Sequence, residues 1–118
     1  MATSYYQGLQ VWNISMDLVQ DVYTICKNFP KEETYWIVDQ MKRASVSIPS
    51  NIAEWSGRKN KTEFIQFLYI ARASLMELET QMILSQRLWF ISKIQVSSIL
   101  EKITSTWKML SALISSMK

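Results

Sequence analysis

The sequence has no histidine, a single cysteine (Cys26), two glycines and two prolines among 118 residues. Each shortage excludes something. Without histidine the chain lacks the commonest general base, the commonest transition-metal ligand and the Glu-x-x-His pair of di-iron helical bundles, so neither a metal nor another cofactor is expected. One cysteine cannot close an intramolecular disulfide, and Cys26 falls in an apolar helical register where a thiol behaves as a small hydrophobe, which favours a cytoplasmic setting. Gly8 and Gly57 alone cannot build a phosphate-cradling loop. No apolar run approaches the roughly 20 residues that cross a bilayer, and no basic-then-apolar leader pattern opens the chain, so a soluble protein without membrane contact is expected.

Few glycines and prolines mean few connections, and the rest of the composition is helical. Hydrophobic residues make up 48%, with five Trp and seven Met to fill a core. The length suits one domain, residues 1–118, able to bury about two-thirds of its unfolded surface.

Residues 1 to about 6 lack periodicity and read as a lead-in. A first helix is expected from about Gly8 to Asn28, where Trp12, Met16, Val19, Tyr23 and Cys26 recur at spacings of four and three. Val11, Leu18, Val22 and Ile25 widen that stripe. Asn28-Phe29-Pro30 ends it, because a residue before proline leaves the helical region. A second helix restarts near Lys31 with Glu32 and Glu33 at the positive end of its dipole, and buries Trp36, Ile37, Met41, Ala44, Ile48, Ile52 and Trp55. Pro49 falls inside this pattern, so the helix is expected to kink there, with a break as the alternative. Ser56-Gly57 closes it.

Arg58-Lys59-Asn60-Lys61 reads as a four-residue basic connector, with Asn60 or Thr62 able to cap the third helix. That helix carries Phe64, Leu68, Ala71, Leu75, Leu78 and Met82 and ends near Leu88 or Trp89. A fourth begins between Ser92 and Gln95 and repeats Val96, Leu100, Ile103, Trp107, Leu110, Ile114 and Met117. Four helices with short links fold most economically as an all-α, up-down-up-down antiparallel four-helix bundle, its second helix kinked near Pro49.

Little in the chain resembles catalytic machinery. Ser-x-x-Lys occurs three times, at Ser56, Ser105 and Ser115, without the companion motifs that would give it meaning. A polar line, Gln40, Arg43, Ser47, Asn51 and Glu54, runs beside the apolar stripe of the second helix. Glu77 lies on the shoulder of the third helix with Ile70, Ser74 and Gln81. Facing helices would bring Arg43 against Glu77 or Glu54 as a structural or intersubunit ion pair, so Gln40, Arg43, Asn51, Glu54 and Glu77 form a candidate interface network and no enzyme activity is expected. Five Trp and broad apolar stripes exceed what a small bundle hides, which points to a homo-oligomer.

The net charge is +3. Its one concentrated patch is Arg58 to Lys61 in the loop after the second helix, and Lys42, Arg58, Lys59 and Lys61 are the candidate contacts for nucleic acid. Ring symmetry would multiply that charge into a phosphate-binding belt. A protein partner, with charge only steering the encounter, is the alternative.

The strings F-P-K-E-E-x-Y, Q-M-K-R-A-S-V-S-I-P-S-N-I-A-E, G-R, E-F-x-x-F-L-x-I-A and S-L-x-E-L-E-T-Q, between about Tyr5 and Leu88, resemble the proteins encoded in intervening sequences of bacterial 23S ribosomal RNA genes. That family is similar in turn to the accessory variability determinant subunits of diversity-generating retroelements. The resemblance implies a homopentameric, non-enzymatic bundle in contact with RNA or DNA, with a reverse transcriptase as a further partner. The chain departs from the family at Trp55 and Ala73, where glycine is usual, so the end of the second helix or the surface there is expected to differ.

Overall fold

The computed structural model describes Tyr6 and residues 8–118; the expected lead-in, apart from Tyr6, lies outside the described residues. Four long helices account for most of the chain: α1 (Gln10–Cys26), α2 (Asp39–Ser56), α3 (Gln66–Arg87) and α4 (Lys93–Ser116). Each packs on its neighbour in the chain and α1 closes the ring against α4, with α2 and α3 sharing the most extensive contact. This is the up-down-up-down four-helix bundle, and it is elongated, 44 × 25 × 20 Å. Loop 27–30 and turn 88–92 lie at one end; loop 57–65, the start of α1 and the end of α4 lie at the other.

The broad apolar face expected of α1 narrows to its widened side. Val11, Ser15, Leu18, Val22 and Ile25 face the core, whereas Met16 and Tyr23 are exposed and Trp12 and Val19 are half-buried. The expected stripe through Trp12, Met16, Val19 and Tyr23 is therefore largely the outer face. Ser15 completes the buried side, although its hydroxyl interrupts the apolar count. Its side chain donates to the Trp12 carbonyl at 2.7 Å, which satisfies the buried group within the helix. Ser45, Ser85 and Thr106 do the same, donating to the carbonyls of Lys42, Gln81 and Lys102 at 2.9, 2.7 and 2.7 Å. Thr106 also takes the buried position next to Trp107, which turns partly outward.

The second helix does not begin as expected at Lys31. A 3-10 turn (Lys31–Glu33) leads into a five-residue π segment (Thr34–Val38) before α2 starts. The wide π turn lets two successive residues, Ile37 and Val38, point into the core, while Trp36 is exposed and its indole N–H donates to the Glu33 carboxylate. Downstream, α2 runs unbroken through buried Pro49, which excludes a break there. The missing N–H leaves the Ser45 carbonyl without its intrahelical partner.

The α2–α3 connection, residues 57–65, is longer than the expected four residues. The Glu63 N–H donates to the Asn60 side chain at 3.3 Å, so Asn60 caps a turn that carries Phe64 ahead of α3 rather than within it. Gly57 ends α2 with φ −80°, without the left-handed turn usual for a glycine at a helix end. That conformation appears instead at Trp89, φ 66°, after α3. There the Phe90 N–H donates to the Ser85 carbonyl at 3.0 Å and the Trp89 N–H to that of Gln86 at 3.1 Å, the paired bonds of a Schellman turn with tryptophan in the glycine position. Ser92 and Gln95 then cap α4 reciprocally, each side chain accepting from the other's backbone N–H, at 3.1 and 2.8 Å.

Candidate functional site

The basic loop after α2 is built on aromatic rings. Trp55, the last large residue of α2, is buried, and its Nε1 donates to the Lys61 carbonyl at 3.3 Å. The Lys61 ammonium lies 5.4 Å from the centre of that ring. Arg58 reaches back one turn to Glu54, Nη2 to Oε1 at 2.6 Å, and its guanidinium lies 5.0 Å from the Phe64 ring and 5.4 Å from that of Phe67. Lys59 is exposed between them. Cations over ring faces gain from the ring quadrupole and lose little hydration when part of the group stays in water. The loop is thus held in place while its charges stay at the surface.

Arg58, Lys59 and Lys61 come together in this loop; Lys42 does not join them. It sits 16 residues before Arg58, about 24 Å along the helix axis, and its ammonium lies 4.8 Å from the Tyr23 ring on α1. A different set gathers beside the loop end. Arg72 lies between Tyr69 and Trp107, 5.4 and 5.8 Å from the ring centres, and donates to Ser111 at 3.0 Å. Lys118 lies 5.8 Å from Tyr69. The interleaving of Arg, Lys, Phe and Tyr from residue 58 to residue 72 was the sequence signal for this arrangement.

The polar line resolves differently from expectation. Arg43 pairs with Asp39 on its own helix, Nε to Oδ2 at 3.2 Å, rather than with Glu77 or Glu54. An (i, i+4) partner is reached without crossing between helices. Gln40 is exposed. The link between α2 and α3 is a serine pair, with Ser47 Oγ 2.9 Å from Ser74 Oγ, and Asn51 donates to the Ser47 carbonyl at 2.8 Å. Glu77 accepts from Gln81 Nε2 at 3.3 Å, and the other amide atom of buried Gln81, Oε1, has no partner among the described residues. A further cross-link, Lys102 to Asp21, ties α4 to α1.

Between α1 and α2 lies an open apolar groove of about 330 Å³, lined by Trp12, Met16, Val19, Val46, Pro49 and Ala53 among others. Buried Cys26 has its thiol pushed up to about 11 by desolvation, against the opposing pull of Lys42. No group of three or more His, Cys, Asp or Glu side chains among the described residues could hold a metal ion. No helix among them is long and apolar enough to cross a membrane.

A family model described as 23S rRNA-intervening sequence protein matches residues 7–112. The chain belongs to this family. A similar fold is seen in the crystal structure of a protein of unknown function from the S23 ribosomal protein family of Bacteroides thetaiotaomicron. It is 26% identical, with a TM-score of 0.81 over 88% of this chain and 97% of that one. No curated protein matches the sequence. Trp55, expected to alter the end of the second helix or its surface, lies in the interior: it is 2% exposed and its indole N–H holds the basic loop at Lys61.

Proposed function

We propose that this 23S rRNA-intervening sequence protein is a non-enzymatic, cytoplasmic homo-oligomer, a pentamer, that binds RNA through the loop after α2. The observation that carries the reading is the display of Arg58, Lys59 and Lys61 in one loop at one end of the bundle, with Arg58 and Lys61 held over aromatic rings. Cations already fixed in position lose less side-chain freedom on meeting phosphate. A ring of five copies would present five such loops at equivalent positions, and Lys42 would add to the surface where a neighbouring copy extends it. The open groove between α1 and α2 offers apolar area for the copy-to-copy contact. Resemblance to the accessory variability determinant subunits points the same way.

Filter binding to structured RNA at low salt tests the reading. Replacing Arg58, Lys59 and Lys61 together by Gln is expected to weaken binding steeply and to flatten its salt dependence by about 0.9 for each phosphate no longer neutralised. Unchanged binding by that variant overturns it. A stoichiometric protein partner that co-purifies after nuclease treatment, without RNA affinity, would instead make the protein a docking scaffold.

A further inference from the structure

The end of the bundle opposite the basic loop carries an aromatic residue in an unusual setting. Trp89 occupies the left-handed position of the α3–α4 turn, φ 66°, yet its side chain is 91% exposed. Glycine would suit that backbone better, and nothing in the core uses the ring. Arg87 ends α3 on one side of it and Lys93 starts α4 on the other; both are exposed and neither forms an ion pair among the described residues. From residue 80 to residue 100 the chain contains no Asp or Glu. Arg87, Trp89 and Lys93 line a shared hollow of about 650 Å³ with Gln86 and Gln95, within the size range of small-ligand sites. The turn itself is rigid: both Schellman bonds and the reciprocal Ser92–Gln95 cap hold it.

We propose that this turn is a second, separate nucleic-acid site that takes single-stranded RNA, one base stacking on Trp89 and the flanking phosphates meeting Arg87 and Lys93. An open indole face pairs with any base, and two cations in a hollow that no acid lines complement the backbone rather than a protein surface. The Gln86 and Gln95 side chains border the hollow and supply polar edges beside the base. The site is independent of the loop after α2, which lies at the other end of the helices.

The test is fluorescence anisotropy of a labelled single-stranded oligouridine against the intact protein at low salt. Trp89→Gly keeps the turn geometry and is expected to weaken binding about tenfold or more, Trp89→Phe less, and Arg87→Gln with Lys93→Gln to weaken it and flatten its salt dependence. Trp89→Gly should lower oligouridine affinity by the same factor in the Arg58, Lys59 and Lys61 variant as in the wild type, so the two sites fail or stand separately. Circular dichroism confirms that each variant folds. Equal affinity of wild type and Trp89→Gly, or no binding of the wild type at low salt, overturns the proposal.

Discussion

Trp55 holds Lys61 twice: its indole N–H donates to the Lys61 carbonyl at 3.3 Å, and the Lys61 ammonium lies 5.4 Å from the centre of the same ring. A residue at the end of α2 thereby fixes both the path of the following loop and the direction of one of its charges. Trp55→Ala should destabilise the bundle by about 3–5 kcal/mol, the usual cost of deleting a buried ring. Trp55→Phe retains the packing and should lose only about 1 kcal/mol with the hydrogen bond. Urea denaturation of the three proteins measures both differences.

Glu54 competes with any phosphate for Arg58, to which it is bonded at 2.6 Å. Both side chains are substantially exposed, so the pair contributes less than about 1 kcal/mol to stability. Glu54→Gln should therefore leave the urea midpoint almost unchanged while tightening RNA binding and steepening its salt dependence. A filter-binding titration at two salt concentrations reads the change; weaker binding would assign Glu54 to the RNA contact itself.

Much of the architecture was legible in the sequence. Four helices, their order and most of the inward residues of α2, α3 and α4 follow from spacing alone. The failures have definite physical causes. On α1 the expected apolar face is wider than the part that is buried, and only packing against α2 and α4 chooses the side that contains Ser15. The π segment ahead of α2 leaves no mark in a period count, since Trp36, Ile37 and Val38 are all apolar and one of them must turn outward. Arg43 was expected to bridge helices but reaches Asp39 on its own helix, a competition that distance decides. In the candidate site the charges of the basic loop could be read directly, while the rings that carry them became evident only when Trp55, Phe64 and Phe67 were placed around it.

Trp89 in the left-handed region strains the α3–α4 turn, since a side chain there costs about 1–2 kcal/mol relative to right-handed backbone. Because the ring is exposed, its removal forfeits little packing. Trp89→Gly should raise stability by about 1 kcal/mol, seen as a higher thermal midpoint, even as it removes the stacking surface. A lower midpoint would mean that the ring packs in solution.

Cys26 links stability to alkaline pH. Burial raises its thiol from the ordinary 9.0 to about 11, with Lys42 pulling the other way, so the unfolded chain ionises first as pH rises. The stability associated with the neutral thiol is fully present below pH 9 and is lost between pH 9 and about 11. Cys26→Ala should show a shallower loss across that window in urea denaturation. The same burial makes the native thiol slow toward alkylating reagents at pH 8.

In the proposed oligomer the copy-to-copy contact is assigned to the groove where Met16 and Val19 of α1 meet Val46 and Pro49 of α2. Replacing Val19 by Glu places a charge on that surface without touching the buried stripe of Val11, Leu18 and Val22. Sedimentation equilibrium should show the variant shifted toward the 13.8 kDa monomer, with its helical circular dichroism retained. An unaltered oligomer mass would place the interface elsewhere.

The salt dependence of binding to structured RNA tests the central claim most directly, because it counts the phosphates that the protein neutralises. One protomer offers three loop cations, Arg58, Lys59 and Lys61, which limit the slope of log K against log salt to about 2.7 at 0.9 per phosphate. A ring presenting several loops to one RNA predicts a slope clearly steeper than about 3, reduced in the triple Gln variant. A flat dependence, or no binding at low salt, would contradict the account.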